Sequence, residues 1–158
     1  METVYIETTI PSFLTSRPST NPDLAYKQQI TTTWWNRHRL TYRLVTSQQT
    51  TQEAAAGHPE AAARRLTVLE DIEQLTTPIA LMNQLAQSLF TLLQIPSHAA
   101  LDAEHLAHCI LNRCDYLLTW NCAHLANPRH QDQLRRYCLS NALFCPVLCT
   151  PEDLLPKP

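Results

Sequence analysis

The 158-residue sequence has a single glycine, Gly57, although average usage of about 7% would supply roughly eleven. This scarcity excludes sites in which glycines let the backbone approach a phosphate. A P-loop needs two glycines in one short turn, and the dinucleotide-binding fingerprint needs three. The glycine-rich nucleotide clamp of protein kinases is excluded for the same reason. Chemistry in this chain must therefore come from side chains.

Long apolar runs and a secretion signal are also missing. No apolar run approaches the ~20 residues of a membrane-spanning helix, and the first residues lack the basic and apolar regions of a signal peptide. We therefore expect a cytoplasmic protein. The net charge of −2 argues against wrapping of DNA by charge alone, but it leaves local contacts with nucleic acid open.

The six cysteines lie in the last third of the chain and include no Cys-x-x-Cys pair. In a chain of this length without a secretion signal, the spacing favours free buried thiols over disulfides. The cysteines are Cys109, Cys114, Cys122, Cys138, Cys145 and Cys149.

Short β-branched and aromatic runs alternate with helical patterns along the chain. Such alternation implies right-handed βαβ connections and a parallel sheet. We therefore predict one α/β domain over residues 1–158, with a central parallel sheet of about five strands and helices on both faces. Strands are predicted at 3–6, 42–46, 72–75, 116–119 and 144–149, and the main helices at 21–40, 47–56, 60–70, 79–93, 98–112 and 128–141.

Four oxygen-bearing side chains flank the predicted strands. Glu7 directly follows the first strand, and Glu53 lies in the helix just after the second. Asp102 opens the helix before the strand at 116–119, and Asn121 follows that strand. Ligands of such folds bind at the carboxyl ends of the strands. Carboxylates that converge there stay ionised together when a cation lies between them, and oxygen ligands favour Mg²⁺ or Mn²⁺. Considered alone, Asp102 could instead interact with the dipole at the N-terminus of its helix, and Glu53 could be a solvated charge on a helix face. Glu7 follows an apolar strand that a parallel sheet would bury on both faces, so it is harder to interpret as a simple surface charge.

The motifs around these residues resemble those of PIN-domain nucleases. Residues 4–9 read Val-Tyr-Ile-Glu-Thr-Thr, and Glu53 follows Ser47 by six positions. Residues 102–107 read Asp-Ala-Glu-His-Leu-Ala, and residues 117–121 read Leu-Leu-Thr-Trp-Asn. The string Trp-Asn-Cys-Ala-His-Leu-Ala-Asn at 120–127 is similar to that of one bacterial branch. The motifs occur in the family's order and cover nearly the full chain.

The resemblance implies a PIN domain with metal-dependent ribonuclease activity, typical of VapC-like toxins that dimerise and are inhibited by a small antitoxin. Glu7, Glu53 and Asp102 would be catalytic metal ligands, with Asn121 at the fourth acidic position. Thr9 would support the metal or its water. Two departures are Glu7 in place of the usual aspartate and Asn121 in place of an acid. With three carboxylates, we expect one tightly bound ion and a weaker second one.

Several further residues have alternative interpretations. Arg17, in the loop after the first motif, is placed to meet a phosphate. His105 shares a helix face with Asp102 and is expected to bond nearby backbone and fix the helix against the sheet. His124 and Asn127 are expected at the rim of the site in contact with substrate. A zinc site that uses Cys122 and His124 is disfavoured, because a structural zinc needs four ligands.

The basic stretch that begins with Trp34 and Trp35 has two interpretations. The two rings could stack on RNA beside the adjoining basic residues. We favour the alternative in which one ring lies in the core and the other at the core or a dimer interface.

We therefore predict a Mg²⁺- or Mn²⁺-dependent endoribonuclease. The alternative is a non-catalytic nucleic-acid-binding or regulatory module with a degenerate metal site, which Asn121 favours. A phosphotransfer domain is a third possibility, but it would need an aspartate where Glu7 stands.

Overall fold

A computed structural model describes residues 1–158. The sheet has five strands in the order β3-β2-β1-β4-β5, and every neighbouring pair is parallel. The predicted α/β class with a five-stranded parallel sheet is confirmed. The strands are β1 (Thr3–Ile6), β2 (Arg43–Thr46), β3 (Glu73–Gln74), β4 (Tyr116–Leu118) and β5 (Val147–Cys149).

Seven α-helices connect and cover the strands. They are α1 (Thr9–Thr15), α2 (Pro22–Arg37), α3 (Gln48–Ala54), α4 (Pro59–Leu69), α5 (Ile79–Leu92), α6 (Leu101–Leu111) and α7 (Pro128–Ser140). Two 3₁₀ turns, Arg39–Thr41 and Ser97–Ala99, occupy places where the sequence predicted continuous helix. No helix has both the length and the apolar character needed to cross a membrane.

The core lies on both faces of the sheet, as predicted. Tyr5 of β1 faces a cluster that contains Leu89 of α5 and Leu106 of α6. Ile6, the next residue, faces the opposite cluster with Trp34 of α2. This alternation follows from the strand period of two residues.

Both edge strands are shorter than predicted. Pro146 has no N–H to donate, and the pairing of β5 begins at Val147, whose N–H donates to the carbonyl of Asp115 (2.9 Å). Strand β3 keeps only Glu73 and Gln74, both exposed. The sequence also predicts that Thr77-Pro78 caps the helix at 79–93 and that Ser97 caps the helix at 98–112, and neither side-chain cap forms. Ser97 begins a 3₁₀ turn, and the hydroxyl of Thr77 accepts from the Nδ2 amide of Asn112 (2.8 Å) instead of capping α5.

Other local predictions can be compared directly with the structure. All six cysteines are free, and Cys122 alone is exposed. Trp34 is fully buried, which confirms one core tryptophan, while Trp35 is half-buried under the Arg39 guanidinium (5.2 Å from the ring centre). Gly57 has φ +85° after α3, the left-handed conformation in which glycine commonly ends a helix.

The register brings the carboxyl ends of the central strands together. Ile6 of β1 pairs with Leu118 of β4, and Tyr5 pairs with Val45 of β2. The residues that leave these strands, Glu7 and Thr119, therefore emerge side by side at one end of the sheet.

Candidate metal centre

Glu7 directly follows the first strand, and hydrogen bonds fix both its backbone and its side chain. It is 5% exposed, and its N–H donates to the carbonyl of Leu118 (3.2 Å). Oxygen Oε2 accepts three hydrogen bonds, from the Thr9 N–H (2.9 Å), the Thr9 hydroxyl (2.6 Å) and the Thr119 hydroxyl (2.8 Å). These bonds fix the carboxylate and leave Oε1 available to a ligand.

Glu53 reaches the same place from α3, whose first turn is capped by the Ser47 hydroxyl. Its carboxylate accepts from the Thr8 hydroxyl, from Nε2 of His105 (3.0 Å) and from Nε2 of Gln49 (3.2 Å). Burial alone would raise the pKa of Glu53. The hydrogen bond and charge of His105, then Thr8 and Gln49, outweigh burial and lower that pKa to about 2. The carboxylate is therefore ionised at neutral pH.

His105 of α6 is buried between this carboxylate and the sheet. Its Nδ1 lies 2.7 Å from the Tyr5 hydroxyl, which also bonds the Ser47 hydroxyl (2.7 Å). The prediction that His105 bonds backbone groups is wrong, because both of its partners, Tyr5 and Glu53, bond it through their side chains. The predicted attachment of α6 to the sheet is present through Tyr5 of β1. Burial lowers the pKa of His105, but its bond to Glu53 and the nearby carboxylates of Glu7, Glu53 and Asp102 raise it above 6.5.

One potential ligand atom from each of Glu7, Glu53 and His105 lies within 4.8 Å of the other two. Two carboxylates and one imidazole form a set that binds divalent cations. Nε2 of His105 donates to Glu53 in the metal-free protein, so it would bind a metal only after losing that proton. Nδ1 would then keep its proton and donate to the Tyr5 hydroxyl. These three residues could therefore hold a divalent metal ion.

Asp102 does not belong to this group. Its Oδ2 accepts from Nδ2 of Asn121 (3.0 Å) and from Nδ1 of His124 (3.0 Å). The amide oxygen of Asn121 in turn accepts from the His124 N–H (3.0 Å). We expected three carboxylates to converge, but only those of Glu7 and Glu53 do so. Asp102 lies one turn before His105 on α6, and its carboxylate contacts the loop after β4 instead.

The two clusters share Thr119. Its hydroxyl donates to Glu7 and accepts from the Asn121 N–H (2.9 Å). Asp102 and His124 are partly exposed, with 17% and 24% of their side chains accessible. The Asp102–His124 pair is therefore partly accessible from solvent.

The remaining predicted residues have different placements. Thr9 supports Glu7 as described, and its hydroxyl also accepts from the Trp120 N–H (2.8 Å). Arg17 lies in the exposed segment after α1, where its carbonyl accepts from Gln28 (2.9 Å). The Asn127 side chain caps α7 by accepting from the Arg129 N–H (2.9 Å), which is a structural role. An Asn-Pro helix start, as at Asn127-Pro128, could have indicated that role.

Residues that the sequence analysis did not select complete the site. Thr8 and Gln49 bond Glu53, and Thr119 bonds Glu7. Arg65 of α4 donates to the carbonyls of Ala54 (2.9 Å) and Ala56 (2.5 Å), so it ties α4 to the end of the helix that carries Glu53. Thr8 and Thr119 lie within the first and last motifs, and Gln49 lies between Ser47 and Glu53, whereas Arg65 lies outside every motif.

The structure groups no cysteine with other metal-ligating residues. The sequence matches no protein-family model and no curated protein. The resemblance to PIN-domain nucleases therefore rests on the motifs themselves and stays a prediction.

Proposed function

We propose that this protein is a metal-dependent endoribonuclease whose metal is held by Glu7, Glu53 and His105. The observation that supports this proposal is the close approach of these three side chains at the carboxyl end of a parallel sheet. This is where α/β folds of this kind bind their ligands.

The proposed ion is Mg²⁺ or Mn²⁺, because two of the three donors are hard carboxylates. The imidazole donor favours Mn²⁺ over Mg²⁺, which prefers all-oxygen surroundings. When bound, such an ion supplies an activated water and offsets the charge that develops on a phosphodiester. Asp102 and Asn121, which were also predicted as ligands, would serve a second ion or the substrate from the neighbouring cluster.

The protein's own residues orient the reaction. Thr9 and Thr119 hold Oε2 of Glu7, so that its other oxygen keeps one direction. Asp102 accepts from Nδ1 of His124, so Nε2 of His124 points away from Asp102. In this proposal His124 contacts the phosphate at the rim, and hydrolysis leaves 5′-phosphate and 3′-hydroxyl ends.

The biological role proposed is that of a VapC-like toxin with RNA as substrate. A small antitoxin partner, a homodimer and a cytoplasmic location belong to the same proposal. The sequence motifs are the support for these assignments.

Cleavage of single-stranded RNA with Mn²⁺, with Mg²⁺ and with EDTA tests the activity. We expect cleavage with the metals and none with EDTA. Glu7→Gln should abolish cleavage, since a neutral amide cannot replace the anionic ligand. The matched control is Glu70→Gln, because Glu70 is exposed at the end of α4. Equal cleavage by wild type and Glu7→Gln would refute the site.

The second candidate is a non-catalytic module with a degenerate site. Asn121 favours it, because both of its side-chain polar groups bond within the protein, to Asp102 and to the His124 backbone. Calorimetric titration with Mn²⁺ separates the two candidates. Binding that Glu7→Gln removes supports the nuclease, whereas no binding supports the module.

A further inference from the structure

A polar cavity of about 440 Å³ is lined by side chains of α3, α5 and α6. Three glutamines of α3, Gln48, Gln49 and Gln52, form one wall. Ile79 and Met82 of α5 form an apolar wall, and Glu104 of α6 contributes a carboxylate. The volume falls in the range of sites that bind small ligands.

Gln49 connects this cavity to the metal centre. Its Nε2 donates to Oε2 of Glu53 (3.2 Å) and to the carbonyl of Leu101 (2.8 Å). These two acceptors fix the amide orientation, and Gln49 is only 9% exposed. Its oxygen Oε1 is buried without a hydrogen-bond partner. An unpaired buried acceptor is costly, so a ligand that donates a hydrogen bond there gains affinity.

The lining residues define the chemistry of the ligand. No lysine or arginine lines the cavity, and Glu104 brings a carboxylate, so a phosphate would be repelled. Gln48 and Gln52 are exposed carboxamides one helical turn apart, and each offers a donor and an acceptor. The exposed Ile79 and the buried Met82 offer apolar surface to a flat ring. Flat apolar faces with donors and acceptors on the edge are features of a nucleobase.

We propose that this cavity binds one nucleobase of the RNA strand that is cut at the metal centre, and that it prefers bases with an exocyclic amino group. The proposal rests on the proposed ribonuclease function. The amino group of adenine, cytosine or guanine has two N–H bonds. It can therefore donate to Gln49 or Glu104 and, at the same time, to a carboxamide oxygen of Gln48 or Gln52. The single ring N–H of uracil can serve only one of these acceptors. Glutamine pairs in this way with adenine edges.

Fluorescence anisotropy with labelled oligo(A), oligo(C) and oligo(U) ribonucleotides in EDTA tests the proposal without cleavage. We expect wild type to bind oligo(A) and oligo(C) more tightly than oligo(U). The double variant Gln48→Ala/Gln52→Ala should weaken oligo(A) binding about tenfold, the effect of one bidentate base contact. It should change oligo(U) binding little. Comparing variants on the same oligonucleotide cancels differences in base stacking of the free strands.

Gln84→Ala is the matched control, since Gln84 is an exposed glutamine of α5 outside the cavity lining. Equal affinity for the three oligonucleotides, or an equal loss on all of them, would overturn the cavity proposal. Cleavage in Mn²⁺ by the double variant with unchanged base preference would overturn it as well, while leaving the ribonuclease proposal standing. Base-selective binding without metal-dependent cleavage would support the cavity and refute the ribonuclease.

Discussion

The replacement His105→Ala tests the electrostatic centre of the site through the stability of the metal-free protein. His105 is fully buried and bonds Glu53 (3.0 Å) and the Tyr5 hydroxyl (2.7 Å). Its removal leaves a cavity and takes one donor from a half-buried carboxylate. Tyr5 keeps Ser47 and Thr50 as partners, so its hydroxyl stays satisfied.

The expected loss of stability is about 3 kcal/mol. A hydrogen bond to a charged group contributes about 1.5–3 kcal/mol, and the cavity adds about 1 kcal/mol at the low end of large-to-small replacements. The Glu53 side chain is 26% exposed, so water can solvate its carboxylate in part after His105 is removed. The expected loss of stability therefore lies below the sum of the two upper values. For a chain of this length, Tm should fall by roughly 6–12 °C.

The pH dependence separates charge from packing. The raised pKa of His105 means that its contribution is fully present below 6.5 and is lost as pH rises through its folded pKa. The lowered pKa of Glu53 means that its contribution is present above 4.5 and is lost as pH falls toward about 2. The difference between wild type and His105→Ala should therefore be largest between pH 4.5 and 6.5.

Urea unfolding followed by circular dichroism in EDTA, at pH 5.5 and at pH 9, measures this difference. His108→Ala is the contrasting variant. Burial lowers the pKa of His108 to about 4, so this histidine favours the folded state less at pH 5.5 than at pH 9, and its removal should give the opposite pH dependence. An equal destabilisation by His105→Ala at the two pH values would refute the charged pair and leave packing as its only role.

Three further predictions concern the site. Asp102→Asn should abolish metal-dependent RNA cleavage and leave the circular dichroism spectrum unchanged, with the exposed Asp71→Asn as control; full activity would remove Asp102 from the site. Arg65→Ala should destabilise the protein by about 1 kcal/mol in urea, since two carbonyl bonds at the end of α3 are lost, whereas the exposed Arg64→Ala should change little. Mn²⁺ at about 100 times its Kd should stabilise wild type by about 2.7 kcal/mol, and a similar gain in Glu7→Gln would place the ion elsewhere.

Much of the fold was predictable because its signals are local. The apolar run of β1 and the Ser47 cap of α3 specify their elements within a few residues. The edge strands were overestimated because their extent depends on which backbone groups find partners, as at Pro146. Thr77 and Ser97 do not cap the helices that follow them. The Thr77 hydroxyl accepts from Asn112, and Ser97 begins a 3₁₀ turn.

The sequence by itself determined that phosphate could not be bound by a glycine loop. It also placed Glu7 after β1 and Glu53 in the helix that follows β2. Only the tertiary structure decided that His105, and not Asp102, stands nearest to them. Both residues lie on α6, and which one faces the carboxylates depends on how that helix packs against Tyr5. The same packing decided that α3, α5 and α6 enclose a cavity beside Gln49, because contacts between distant segments leave no trace in local spacing.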